Sequence, residues 1–597
     1  MLKRQSNSSG VGSSRINRFF GFESGAVALL IVVLACAITF YGWRLLWFLT
    51  DDAFISFRYV SNWIIGIGPT WNPPPFQHVE GYSNFLWVVL LSLIWWATGL
   101  EAPAVANTMS LLFGLGTVLL VSAWLRQVIV RRRREHYSSE CVFLLSLLLI
   151  VCNKSFLTWL SSGLETALFT FLVVSWAYAC AAIGSRLEDI KWAQAVWLSA
   201  LLALTRPDGL LFWGLTVALY GVARLRKRVS YSWHYQLSVA VGLFIVPTHV
   251  IWRHYYYHDW LPNTYYAKVQ AAWPEMGLHY LLSYILEYAL YIPALIILVG
   301  FGFEGIRKRL AGDWRIGRLL VLACIGIQVL YYVLIVGGDH FEYRVFHHLV
   351  PIVVVFMCVF LQSAAVDHRL ASMLLLLWLI AQSFIPWTYW HYTKNLYSRA
   401  ETFGLTFPIA DKVISPLRPL TAYWDTLQSL MTTHAICTRH QEHKIFYLFQ
   451  RAVFPPRADG LAMRMEDHNV LVFGSVGVPG WVFPHAAIID TLGLNDRLLA
   501  KSSSRLRPKH RTMAHSIVAS KAYWSCYYPN ITWGPDEFRQ YSELAQVRLT
   551  DDISAGAFGL RPQVIAREEA GIEAQIVGCE SRGWTISELF DAAFYVQ

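Results

Sequence analysis

Residues 24–50, SGAVALLIVVLACAITFYGWRLLWFLT, carry one charge, Arg44, and run directly into DDAFISFRYVSNW at 51–63. A helix needs about 20 predominantly apolar residues to cross a bilayer. The block from Ser24 to Leu49 is too long for the apolar region of a signal peptide and lacks a small-residue cleavage site, so it reads as a retained membrane span. The two carboxylates at its end, Asp51 and Asp52, are costly in lipid and ordinary in water. Where they lie decides what the chain can do.

The rest of the chain repeats the pattern. It is 55% hydrophobic and only 15% charged, against the roughly 25% charged residues of soluble domains. Apolar segments fall near 26–48, 84–100, 106–128, 141–157, 165–183, 193–206, 208–222, 237–257, 279–301, 317–337, 346–364 and 370–388. Between them lie basic clusters: Lys3 to Arg18, Arg131–Arg134, Arg224–Arg228, Arg307–Arg309 and His368–Arg369. Basic loops face the cytoplasm, and from Arg131 onward they alternate correctly with non-basic ones. Before Arg131 the alternation fails by one span. Segment 84–100, short and preceded by a Pro-rich loop, therefore reads as re-entrant or interfacial. The expectation is an all-α polytopic membrane bundle of about 11 spans, with a cytoplasmic tail at 1–25 and a membrane domain at 26–392. The net charge of +10 sits mainly in loops and reads as orientation signal; no basic stretch shows the aromatics of a nucleic-acid surface.

After residue 390 hydrophobicity falls. NVLVFGSVGVPGWVF (469–483), AAIIDTLGLND (486–496), QVRLTDD (546–552) and AQIVGCE (574–580) look like strands with turns, so 393–597 is expected to be a C-terminal α/β periplasmic domain. Its Trp481, Trp524 and Trp533 either stack on sugars or form its core. One disulfide among Cys437, Cys526 and Cys579 is open. No CxxC or Cys/His metal spacing occurs.

The alternation gathers one set of loops on the outer face: DDAF with the segment to Asn84, SSGLET (161–166), TRPDG (205–209), HDWLPNTYYAKV (258–269) and GGDHFEYRVFHH (337–348). Each has a plain reading beside a chemical one. Asp51 and Asp52 either close a helix in water or, held in an aromatic, partly dry loop with Glu80, take a proton from a sugar hydroxyl. Lys268 with Tyr265 and Tyr266 either snorkels from an aromatic belt or meets a phosphate. Arg344 has the fork that matches phosphate oxygens, while the adjacent His347 and His348 point in different directions and weaken a metal reading. Arg206 and Asp208 read first as a salt bridge holding a helical hairpin, and Glu165 as a helix N-terminal acid. Carboxylates, cations and aromatics on one face suit transfer from a lipid-phosphate-linked sugar. Such a reaction needs a base for the acceptor hydroxyl, cations for the leaving phosphate and apolar grooves for the isoprenoid. The absence of a GxGxxG or Walker loop agrees with a donor outside the cytoplasm.

In order along the chain, DDAFISFRYVSNW, VEGYSNFLW, SGLET, TRPDG, LPNTYYAK, GGD with a later Arg, and IIDTLGLNDRLLA resemble the membrane arabinofuranosyltransferases of the AftB type and the related ZomB-like flagellar motor control proteins. The resemblance covers about residues 26–515. It implies a GT-C glycosyltransferase architecture in a bacterial plasma (inner) membrane, with an outer active site, a C-terminal periplasmic domain, a polyprenyl-phosphate donor and a cell-envelope glycan acceptor. Arabinofuranose is the sugar in the mycobacterial members. It implies catalytic roles for Asp51 and Asp52, and places Lys268, Arg344 and His340 at the donor phosphate. Glu80, Tyr82, Asn84, Glu165, Arg206, Asn263, Tyr265 and Asp339 are its candidate substrate-binding residues. Ser83, His340 and Glu342 depart from the pattern, so the local pocket differs. The sequence implies no cofactor beyond a divalent cation at Asp51 and Asp52, which hard-cation chemistry permits. Two rivals stand beside an inverting transferase. A proton-relay transporter would need polar residues at mid-span, where the segments are almost wholly apolar. A non-enzymatic scaffold of the envelope or flagellar motor would tolerate Asn at Asp51.

Overall fold

The computed structural model describes residues 25–73, 78–129, 136–183, 188–226, 232–269, 271–313, 315–462, 470–501 and 511–513. Every apolar segment read from the sequence lies on helix. Among the described residues six helices are long and apolar enough to cross a membrane: Gly25–Leu45, Ala102–Ile129, Trp233–Tyr257, Ile316–Val336, Arg344–Ser363 and His368–Thr393. Pro274–Glu287 and Tyr291–Gly302, bent by 86° at their junction, make a seventh if they form one broken span. The chain is therefore a helical membrane bundle of six or seven spans by length and composition. A count near eleven requires shorter helices such as Thr166–Ala181 and Ile190–Thr205 to cross as well. Phe85–Thr98, on the segment expected to be re-entrant, has 14 residues. At 1.5 Å per residue that is about 21 Å, short of the about 30 Å hydrocarbon core.

Gly25–Leu45 illustrates how sequence becomes packing. Ala28, Ile31, Val32, Ala35, Thr39 and Gly42 are buried, three or four residues apart on one face. Leu30, Val33 and Tyr41 on the other faces are exposed to what would be lipid. Small residues allow close approach: a Cβ at Gly42 would sit 2.6 Å from the Leu157 side chain.

After the His368–Thr393 helix the chain remains helical through Arg418–Thr433 and His440–Val453. It then forms two parallel strands, Val470–Phe473 and Ala487–Asp490, paired Val470 to Ala487 through Phe473 to Asp490 and joined through the helix Gly477–Val482. Of the expected α/β domain, the described residues thus hold one two-stranded parallel sheet with a connecting helix at 470–490. This unit does not stand apart, because Phe473, Trp481 and Ile488 share one continuous core with Phe57 and Trp87. Trp481 packs against Phe54, Phe57 and Trp95, which makes it a core residue. QVRLTDD, AQIVGCE, Trp524, Trp533, Cys526 and Cys579 lie outside the described residues. Cys437 is buried and has no disulfide partner among the described residues.

Candidate active site

Two local breaks bring distant motifs together. Past the first span, the chain runs extended beside SSGLET: the Ser162 amide donates to the Phe48 carbonyl at 2.9 Å, and the Thr50 amide to the Ser162 carbonyl at 3.1 Å. Asn107 locks the junction, donating to Phe48 O at 2.9 Å and accepting from the Gly163 amide at 2.8 Å. Gly163, at φ +80°, leaves no room for a Cβ, which would meet that of Ala53 at 2.8 Å. The helix Asp51–Ile64 therefore starts beside Glu165. The second break ends Ile316–Leu330, whose last turn loosens to a π-helix over Tyr331–Val336. The Tyr332 carbonyl then accepts from both Gly337 and Gly338, at 2.9 and 3.0 Å. Both glycines have positive φ and lie against Trp273 and Tyr280, so only a residue without a side chain fits. That turn delivers Asp339 and, after it, Arg344.

The result is a cavity of about 160 Å³. Of the residues expected to bind or react, Asp52, Tyr82, Asn84, Glu165, Arg206, Tyr265, Lys268, Asp339 and Arg344 line it. Its floor is a continuous hydrogen-bonded chain. The Ser56 hydroxyl donates to Asn84 Oδ1 at 3.0 Å, and Asn84 Nδ2 donates to Glu165 Oε2 at 2.9 Å. Arg206 donates to Glu165 at 3.4 Å, to Asp208 at 3.0 Å and to the Tyr332 hydroxyl at 2.8 Å. Gln328 donates to the other Asp208 oxygen at 2.6 Å. Burial works to raise the Asp208 carboxyl, but Arg206 and Gln328 outweigh it and hold it below its ordinary value. The salt-bridge reading of TRPDG is correct, and the bridge extends to Glu165, the residue just before the helix Thr166–Ala181, whose side chain makes no capping bond to it. Arg344 is paired with Asp339 at 3.0 Å and lies over the Phe341 ring at 4.4 Å. Asp52 and Lys268 line the same cavity, and neither side chain has a hydrogen bond or ion pair among the described residues.

Four expected site residues do not line the cavity. Asp51 is 7% exposed, and its carboxylate accepts the Val478 amide at 2.8 Å and the Gly477 amide at 3.2 Å. Burial, with the neighbouring Asp52 charge, pushes it up to about 7 against those two amides. The pair is thus divided: Asp51 anchors the helix Gly477–Val482 and Asp52 faces the cavity. Glu80 is buried against Arg253, Nε to Oε2 at 2.6 Å. Asn263 donates through Nδ2 to the carbonyls of Gly493, Leu494 and Asp496 at 3.0, 2.9 and 3.2 Å, while its buried Oδ1 has no hydrogen-bond partner among the described residues. The His340 ring bonds the Ala435 carbonyl through Nδ1 at 2.7 Å. Burial holds its imidazole below the ordinary range, against the pull of Asp52.

Several polar groups acquire their roles only here. Arg58 is fully buried and donates to the carbonyls of Trp71, Gly480, Phe483 and Ala486 at 2.6, 2.6, 2.9 and 2.7 Å. Glu342 pairs with Lys154 at 2.6 Å and accepts the His440 amide at 3.0 Å. Although burial opposes it, Arg439 and Lys154 keep the Glu342 carboxyl well below its usual range. Arg439 also grips Glu287 at 2.9 and 3.0 Å. A signal for Glu287 existed, since a lone carboxylate inside an apolar block calls for a buried cation. His347 is tied to Thr170 and the Phe156 carbonyl inside the bundle.

Comparison with protein-family models, curated proteins and solved structures finds no match to this chain.

Proposed function

We propose that the protein is an inverting glycosyltransferase of GT-C type. It moves a sugar from a polyprenyl-phosphate donor to a cell-envelope glycan on the outer face of a bacterial inner membrane, with the shorter apolar helices bringing the crossings to about eleven. The observation that carries this reading is that Asp52 and Lys268, neither with a side-chain hydrogen bond or ion pair among the described residues, line one cavity with Arg206 and Arg344. Asp52 takes the proton of the acceptor hydroxyl as its oxygen attacks the anomeric carbon. The bond from that carbon to the phosphate oxygen breaks with inversion, and the polyprenyl phosphate leaves towards Lys268. A base positioned this way contributes about 10²–10⁴-fold, and a fixed cation stabilises charge as it develops on the leaving group. Arg206 and Arg344, each already facing a carboxylate, orient rather than neutralise. Asp51 acts by placing the Asp51–Ile64 helix against the chain that follows the last membrane helix. The resemblance of the ordered motifs supports arabinofuranose as the sugar.

The reading is tested by mass spectrometry of envelope glycans in a deletion strain complemented with wild type, Asp52→Asn or Lys268→Gln. A terminal pentose that is lost on deletion and returns only with wild type is the expected result. Full restoration by Asp52→Asn, or a deletion that loses no sugar, sinks it and favours the scaffold.

A further inference from the structure

The cavity has one wall that the membrane helices do not supply. Among the described residues, Leu494 and Met513 are the lining residues that follow residue 393. Leu494 sits in the loop after the second strand, and that loop is held unusually firmly. The Asp490 carboxylate accepts the amides of Leu492 and Asn495, both at 2.9 Å, and the Asn495 side chain at 3.0 Å. Gly493 takes φ +81°. From the other side the single amide of Asn263 reaches three carbonyls of the loop, and Arg497 and Lys501 both pair with Asp259. Asn495 lies so close to Gly81 that a Cβ there would fall 1.6 Å from its Oδ1. Leu494, 6% exposed, is thus set between Gly81–Tyr82 and Thr264–Tyr265.

We propose that Leu494 is the side chain that selects the acceptor, and that Asn263 and Asp490 are positioning residues that hold its loop over the cavity; this rests on the glycosyltransferase reading. The two substrates reach such a site from different solvents. The donor comes along its isoprenoid chain from the bilayer, towards the cations carried at helix ends. The acceptor glycan comes from water, so the wall contributed after the last membrane helix faces it. A buried leucine there offers an apolar surface to the C–H face of a sugar ring. It also bounds the space that decides which hydroxyl reaches Asp52.

The test uses full-length protein. Leu494→Trp and Leu494→Ala are compared with wild type in the complemented deletion strain. Binding of farnesyl phosphate to the purified proteins serves as the probe of the donor end. Both variants are expected to keep farnesyl phosphate affinity within about threefold, while Leu494→Trp restores less than about a tenth of the envelope sugar by blocking the acceptor. Leu494→Ala is expected to change which linkage is made, since removing a bounding side chain relaxes discrimination. Asn263→Ala should reproduce the Leu494→Trp split, with donor-end binding kept and transfer lost. Wild-type sugar levels and linkage in both Leu494 variants overturn the proposal, as does parallel loss of farnesyl phosphate binding in both. A deletion that removes no sugar overturns the glycosyltransferase reading itself, and is told apart because it needs no variant.

Discussion

Asp51 and Asp52 are neighbours in the chain and belong to different parts of the machine: the carboxylate of Asp51 accepts the Val478 amide at 2.8 Å, and that of Asp52 faces the cavity. Substitution should separate them. Asp52→Asn is expected to leave thermal unfolding of the purified protein unchanged while lowering transfer by about 10²–10⁴-fold. Asp51→Ala should cost about 1–3 kcal/mol of stability by leaving the Gly477 and Val478 amides unpaired in a buried site. Equal unfolding midpoints for the two variants would contradict the division.

The stability that Asp51 and Asp490 contribute should fall as pH rises from about 4 to about 7. Asp51 is pushed to about 7 and Asp490 to about 6, both chiefly by burial, above an ordinary value near 3.8. A folded state that holds its proton more tightly than the unfolded chain is most stable below the ordinary value. It loses that advantage as pH climbs through the folded one. Their share of the pH dependence of the unfolding midpoint is therefore a downward slope between about pH 4 and pH 7 that levels off beyond. Asp51→Asn, which cannot ionise, should flatten part of the slope; an unchanged slope would remove Asp51 as its source.

The buried set Lys154, Glu342, Arg439 and Glu287 ties the chain after residue 393 to the bundle. Removing one charge from such a set leaves its partners unneutralised and costs about 3–5 kcal/mol. Glu342→Gln is expected to lower folded yield and the unfolding midpoint sharply. Replacing the whole set with apolar residues should be far milder.

Gly477→Ala should be destabilising although it adds only a methyl group. The new Cβ would fall 1.8 Å from the Asp51 backbone oxygen, which is rigid backbone rather than a movable side-chain tip. Overpacking of this kind costs about 1–3 kcal/mol or more. Proteolysis near residues 470–482 should accelerate in the variant relative to wild type.

Lys268→Gln tests the anion end of the cavity alone. The ammonium has no side-chain partner among the described residues, so its loss should leave folding intact. Farnesyl phosphate affinity should weaken by about tenfold, the scale of one charge-assisted contact. Unaltered affinity would move the phosphate elsewhere.

Much of this was legible beforehand, because apolar length is a local property. Each predicted segment lies on helix, and TRPDG was rightly read as an ion pair. Nine of the residues gathered from separate motifs do meet at one cavity. What stayed hidden were the partners. Nothing in DDAF tells that Asp51 faces amides hundreds of residues away, or in LPNTYYAK that Asn263 reaches backbone carbonyls of the loop after the second strand. Arg58, inside an ordinary-looking amphipathic run, proved to be a fully buried donor to four carbonyls.

The sequence by itself determined a helical membrane chain and which end of the bundle collects its acids and cations, since hydropathy and charge spacing act residue by residue. Only the tertiary structure decided which of those charges are spent and which are left over. Burial makes an unpaired charge costly, so the fold pairs Arg206, Arg344 and Glu342 and satisfies Asp51 with amides. Among the charges lining the cavity, Asp52 and Lys268 remain without side-chain partners among the described residues.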